Sequence, residues 1–409
     1  MREIPALVDH LFRHEAGKMV ATLVRILGVR NVEIAEDVVQ DVLLRALEVW
    51  KYRGVPENPS AWLFQAARNR AVDVLRRRRL HEQAARKLSR ELSSPVGDEG
   101  ARDDLLRMMS SCAHPDLPSE ARITVLLKVL CGFSVPEIAG AFLTSEAAVE
   151  KRLARARGAL KRSPGPAAID GSRLDSIHQA LYLLFSEGYH GSHPERSVRE
   201  ELCAEALRLG ALLSEHASTA TPATFALLAL MCLHAARLPS RIDDAGSLIL
   251  LEAQDRSRWS RPLIDQGFAF LNRSACGDDL TAYHLEAGIA GLHSRAASLE
   301  ETDWPGILKL YTLLYRLRPT PIVALNRAIA LGRVEGSEPA LRELDAIRRG
   351  GRLARYPFLE AAAGDLQRRA GRPRQAEGHF RRALALARNE PERRVLRARL
   401  HALTGIPSP

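Results

Sequence analysis

Two short stretches hold the residue types best suited to polyanion chemistry. Arg68 to Arg79 carries six arginines against the single acid Asp73. Lys151 to Arg162 carries six basic residues and no acid. Guanidinium and ammonium groups at such density neutralise phosphates, and two basic helices in one small module favour that reading over solvated faces. In the first stretch, Asn69, Asp73 and Arg76 fall at i, i+4 and i+7, with Gln65 and Arg77 beside them. An amide, a carboxylate and a guanidinium on one helix face can hydrogen-bond base edges as well as phosphates.

The elements that must position these residues are helices. Ala, Leu and Arg dominate and strand-like alternation is scarce, so the expected fold class is all-α. A helix is expected over 60–79, with Ser60 as N-cap and Phe64, Ala67, Ala71 and Leu75 as its buried stripe. Trp62 is assigned to the core. The preceding helix, 34–50, buries Val39, Leu43, Ala46 and Trp50, flanked by Val42 and Leu47. Its opposite face gathers Asp37, Gln40, Asp41 and Leu44, a surface suited to a partner helix. Ser134-Val135-Pro136-Glu137 spells a capping box. A short helix to Phe142, a turn at Leu143-Thr144 and a second helix from Ser145 then form a helix-turn-helix. That second helix buries Val149, Leu153, Ala156 and Leu160 and turns Ala148, Lys151 and Arg155 outward, with Arg152 at the edge.

Breaks divide the chain. Gly54, Pro56 and Pro59 interrupt it first. A Ser-, Pro- and acid-rich run follows at Ser89 to Asp104, then Pro164, Gly165, Pro166 and Gly171. Expected segments are therefore 1–80, a linker 81–105, a helix-turn-helix domain 106–165, a helical extension 166–275 and a helical-repeat region 276–409. In the last, Gly364, Gly371, Ala376, Phe380 and Ala383 match tetratricopeptide spacing. Ala340/Leu344 and the set Ile307, Tyr311, Leu314 and Pro319 echo it upstream.

Global properties set bounds. The chain has 409 residues, 46% hydrophobic, with a net charge of +10. Residues 1–165 hold 27 basic and 21 acidic residues, so part of that excess lies with the two basic stretches. No long uncharged apolar run indicates a membrane span, and the N-terminus does not read as a secretory signal. The five cysteines form no CxxC pair, which points to a reducing, cytoplasmic setting without disulfides. Glu187, His190 and His193 lie in an expected loop, Ser186 to Pro194, without a further ligand, so no metal site is assigned. Gln254-Asp255-Arg256 and Trp259 read as a packed polar network. No nucleotide-binding glycine loop or nucleophile motif occurs, so no cofactor and no enzymatic activity are expected.

These motifs together resemble one family. Ala35 to Asp41 (AEDVVQD) looks like region 2.2 of sigma-70-type factors. Ala61-Trp62-Leu63-Phe64 and Ala67 to Arg77 resemble regions 2.3 and 2.4. Glu137-Ile138-Ala139 and Val149 to Arg157 resemble region 4.2. With only a linker between them, the arrangement resembles the extracytoplasmic-function (ECF) group, in the subgroup with a long C-terminal helical extension. The resemblance covers about 165 residues and departs at Ala147-Ala148, where the family often has Gly-Thr and so a hydroxyl able to meet DNA.

The resemblance implies a non-enzymatic transcription initiation factor. Asp37, Gln40, Asp41 and Leu44 would dock on the clamp helices of RNA polymerase core. Asn69, Asp73, Arg76 and Arg77 would meet the −10 promoter element, and Lys151, Arg152 and Arg155 the −35 element. The linker acids would mimic nucleic acid near the polymerase cleft. The extension would regulate this core through a partner protein or an intramolecular contact, with no membrane involved. A polymerase-independent helix-turn-helix regulator, with a repeat domain for protein contacts, is the alternative. A repeat scaffold with a vestigial N-terminal module is a third reading.

Overall fold

The computed structural model describes residues 3–77, 98–142, 144–162, 169–191, 198–243, 247–387 and 389–404. Among them are eighteen α-helices and no strand beyond an isolated bridge between Ile242 and Leu248. By contact the chain divides into two compact units: residues 1–184 with 215–219, and residues 185–214 with 220–409. The boundary falls inside one helix.

In the first unit, α1 (Glu3–Leu27), α2 (Val32–Arg53) and α3 (Pro59–Arg77) pack together. Their core includes Trp50, set edge-on to Trp62 at 5.6 Å and tilted against Phe12 at the same separation. The aromatic edges meet as their quadrupoles prefer. The stripe expected for α3 holds at Ala67, Ala71 and Leu75, but Leu63 is fully buried and Phe64 only half so. Asn58, not Ser60, caps the helix: its Oδ1 accepts from Ala61 N at 2.9 Å. In α2, Leu47 faces solvent (49% exposed).

The second half of this unit contains α4 (Asp98–Cys112), α5 (Ser119–Val129), α6 (Val135–Phe142) and α7 (Glu146–Arg162). The acidic cluster from Asp98 belongs to α4, so it is helix and not linker; residues 81–97 of the expected linker lie outside the described residues. Helix α8 (Gly171–Tyr189) begins here too. Leu174 and Ile177 are buried, and Arg173 Nη1 donates to Ser110 Oγ at 3.1 Å. The compact unit therefore runs past residue 165, as far as Leu184.

The second unit stacks antiparallel helices: α9 (Glu200–Glu215, of which Glu215 falls to the first unit), α10 (Pro222–Ala235), α11 (Arg261–Ser274), α12 (Ala282–Arg295), α13 (Trp304–Leu317), α14 (Pro321–Val334), α15 (Ser337–Arg349), α16 (Pro357–Arg369), α17 (Pro373–Leu386) and α18 (Glu390–Thr404). Starts are set locally. Thr221, Asp303 and Thr320 accept from the backbone N of Thr224, Gly306 and Val323, and a proline follows each cap in the first turn. Proline is pre-shaped for that position and has no N–H to leave orphaned. The apolar stretch Pro222–Ser240 is long enough to cross a membrane but is mostly buried inside this unit. Four cysteines are buried, and burial pushes the thiols of Cys112, Cys203 and Cys232 up to about 12.

Residues 238–243 and 247–260 form a strap between α10 and α11. Arg256 donates to the His293 and Ala296 carbonyls, both at 2.8 Å, satisfying acceptors at the end of α12. Glu252 accepts from Arg333 in the last turn of α14 and from Arg369 in the last turn of α16. Asp255 caps its own short turn through Ser257. The Gln254-Asp255-Arg256 run is thus a structural network, as its composition suggests.

One close approach governs the α16–α17 pair. A Cβ on Gly364 would lie 2.7 Å from the Phe380 ring, and Ala376, Phe380 and Ala383 are fully buried. Phe380→Ala should cost the extension about 3–5 kcal/mol, and Gly364→Ala about 1–3 kcal/mol through overpacking. Because the two side chains share one space, Gly364→Ala with Phe380→Leu should be less destabilised than the sum of the single changes. Denaturant midpoints of the four proteins check this; additivity would contradict it.

Candidate nucleic-acid interface

Helix α3 presents Asn69, Asp73 and Arg76 to solvent along one face. Gln65 Nε2 donates to Asn69 Oδ1 at 3.3 Å, extending the polar row. Arg77 lies in the last described turn; its side chain lies outside the described residues. Amide, carboxylate and guanidinium are therefore brought together as the spacing requires.

Helix α2 turns Asp37, Gln40, Asp41 and Leu44 outward, with Leu44 62% exposed. Leu47, Tyr52 and Val55 are exposed nearby in sequence. Apolar groups beside carboxylates are what a helix-docking surface needs. Asp41 is also held at 2.6 Å by Arg70 of α3, which fixes the two helices and both their outer faces.

The helix-turn-helix is built as expected. Glu137 Oε2 accepts from Ser134 N at 2.7 Å, and Glu137 N donates back to Ser134 Oγ at 3.4 Å. Ser145 Oγ accepts from Ala148 N at the start of α7. Val149, Leu153, Ala156 and Leu160 are all buried, which leaves Lys151 and Arg155 exposed on the other side.

Arg152 behaves differently from its two neighbours. Its Nη2 pairs with Glu120 at 2.6 Å and its guanidinium lies 5.2 Å from the Phe142 ring centre. It joins α7 to α5 and α6. Arg157 and Lys161 also turn inward, toward α2: Arg157 Nη2 meets buried Glu36 at 2.9 Å and Lys161 Nζ meets Glu33 at 2.8 Å. Burial pushes Glu36 up from the usual carboxylate range, and Arg157 only partly offsets that. On the far side, Arg25 of α1 pairs with buried Asp104 of α4 at 2.9 Å. A Cβ on Gly17 of α1 would lie 2.9 Å from the Leu130 carbonyl. The α2–α3 module and the helix-turn-helix module are therefore docked on one another. A cavity of about 220 Å³ beside this junction is lined by Gln40 and Leu43 of α2 and by Lys128 of α5.

None of these inter-module pairs is visible in sequence periodicity. The one hint is Glu36, a carboxylate flanked by the buried Ala35 and Val38.

The histidine segment differs from its expected loop. Helix α8 continues to Tyr189, Glu187 pairs with Arg199 at 3.2 Å, and Arg241 lies 3.2 Å from His190 Nδ1. His193 lies outside the described residues. Among the described residues, no group of three His, Cys, Asp or Glu is placed to hold a metal.

The chain matches family models for sigma-70 region 2 over residues 11–81 and sigma-70 region 4 over residues 111–160. Residues 173–275 match a family of unknown function, DUF6596. An uncharacterized protein, R00370, of Rhizobium meliloti (strain 1021) is 37% identical over 395 residues, covering 93% of this chain and 92% of that protein. The RNA polymerase sigma factor NccH of Alcaligenes xylosoxydans xylosoxydans is 31% identical, covering 35% of this chain and 80% of the relative. The RNA polymerase sigma factor CnrH of Cupriavidus metallidurans (strain ATCC 43123 / DSM 2839 / NBRC 102507 / CH34) is 30% identical with the same coverage. With regions 2 and 4 matched in that order and two sigma factors similar over 80% of their own length, the chain belongs to the ECF group of sigma-70 family RNA polymerase sigma factors.

Proposed function

We propose that this sigma factor binds RNA polymerase core through Asp37, Gln40, Asp41 and Leu44. It reads the −10 element with the Asn69, Asp73, Arg76 and Arg77 face, and the −35 element with Lys151 and Arg155. The observation that carries this reading is the pair of exposed polar and basic faces on α3 and α7, each backed by a buried stripe. Arg152 contributes mainly by holding α7 against α5.

The two elements are about 25 base pairs apart, on the order of 80 Å of duplex at roughly 34–36 Å per turn. Modules in direct contact do not span that distance. Promoter engagement therefore separates them, breaking the Glu36–Arg157, Glu33–Lys161 and Arg25–Asp104 pairs. The 20 residues 78–97 have a contour of up to about 70 Å, which together with the modules' own widths covers the separation.

We further propose that the extension, with stacked hairpins resembling tetratricopeptide repeats, gates this transition. The start-to-start offsets of α13, α15 and α17, at residues 304, 337 and 373, fit such repeats.

Run-off transcription from genomic fragments with core polymerase tests the initiation reading. Arg155→Ala and Arg76→Ala should each lower promoter-directed transcripts by roughly tenfold, a loss of about 1–3 kcal/mol. Arg152→Ala should instead lower stability by up to about 1 kcal/mol. Duplex binding that needs no core enzyme, with indifference to Asp41→Lys, would favour the polymerase-independent regulator.

Truncations after residue 165 and after residue 191 test the gating. The first removes the α8 residues packed on α4 and α5, and the second keeps them. Altered activity or promoter choice in the 1–191 protein supports gating, and output identical to the full chain contradicts it.

A further inference from the structure

At the end of α10 a buried cation lacks a carboxylate partner among the described residues. Arg237, just after α10, is only 8% exposed. Its Nε donates to Gln254 Oε1 at 3.3 Å and its guanidinium lies 5.4 Å from the Trp259 ring centre. No carboxylate pairs with it among the described residues. The groups bearing on it are the cations Arg241 and Arg256 and the phenols Tyr189 and Tyr311. Arg256 lies 5.1 Å from the same Trp259 ring, and Arg241 stacks 3.8 Å from the centre of the Tyr189 ring. His234 sits 5.0 Å from Tyr189, and His293 packs edge-on to Trp304 at 5.4 Å.

His234 and His293 are each pushed down to about 3, by burial and then by the surrounding arginines. Both imidazoles are neutral at pH 7. Their Nδ1 atoms, Tyr189 Oη and Trp259 Nε1 are buried without a hydrogen-bond partner. Buried polar groups are normally paired, and a buried cation normally has a counter-charge. The group that answers a guanidinium and several donors at once is an acceptor with negative charge.

We propose that Arg237, His234, His293, Tyr189 and Trp259 form a receptor site for a small oxyanion, a carboxylate or a phosphate. The occupant is small because Arg237 is buried; a duplex backbone or a folded partner's surface does not reach it. Gln254 and Trp259 belong to the strap that also ties α12, α14 and α16 together through Arg256 and Glu252. An anion there would clamp the strap to the end of α10. Tyr189 closes α8, the helix that both units share. The regulatory consequence rests on the gating reading above, but binding itself does not.

The full-length protein is titrated with sodium phosphate or sodium succinate at constant ionic strength, against a chloride baseline. Thermal midpoint and tryptophan fluorescence are followed. At least one probe should raise the midpoint saturably at millimolar concentration and perturb the fluorescence. A response to phosphate alone identifies a phosphate receptor, and a response to succinate alone a carboxylate receptor.

Arg237→Gln should abolish the response. Freed of an uncompensated buried charge, it should unfold in chloride no lower than the native protein. Trp259→Phe keeps the stacking and removes one donor, so it should weaken binding several-fold even if Arg237→Gln fails to fold. No saturable response to either probe overturns the proposal, as does a response that both variants retain unchanged. Since binding is read without polymerase, either result leaves the transcription reading to its own test.

Discussion

The close approach of α1 to the helix-turn-helix module sets the state described here. Gly17 admits the Leu130 carbonyl where any side chain would meet it below 3 Å. Around that point the pairs Arg25–Asp104 and Arg157–Glu36 each bury a carboxylate. A buried pair contributes little net stability when intact, because desolvation offsets attraction, yet losing one partner is costly. Such a junction is specific without being strong. The proposed parting of the modules to reach separated DNA elements needs that combination.

The same junction explains why basic residues of α7 divide into two kinds. Lys151 and Arg155 stay in solvent, while Arg157 and Lys161 turn toward the acids of α2. Charge density alone does not separate them, since all four lie in one basic run. The division comes from which side of the Val149–Leu160 stripe each residue occupies and from what docks there.

Much of this was legible in the sequence because helical burial is periodic. The α7 stripe, the capping box at Ser134 and the exposed α2 face all follow from local spacing. So does the Gly364–Phe380 fit, where a glycine opposite an aromatic signals close helix crossing. The departures have tertiary causes. Leu47 is exposed because the neighbours of α2 cover a narrower arc than its apolar residues span, and Leu63 takes the place at the centre of the core that the period assigns to Phe64. Asn58 replaces Ser60 as cap because the helix already starts at Pro59. The docking pairs, the ties of Arg152 and the uncompensated charge of Arg237 join residues distant in sequence. No local pattern encodes them. The strap at 247–260 reads as loop because its order comes from the helix ends it satisfies, not from its own propensity.

The account rests on the two modules being docked in the free chain and separated on the promoter. Spin labels at Glu48 of α2 and Ala154 of α7, both exposed, in a Cys276→Ser background, would report that separation by pulsed dipolar spectroscopy. A single short distance is expected for the free protein. With core polymerase and promoter DNA it should lengthen by tens of ångströms, following the roughly 80 Å between the elements. An unchanged short distance in a complex that still initiates transcription would contradict the account.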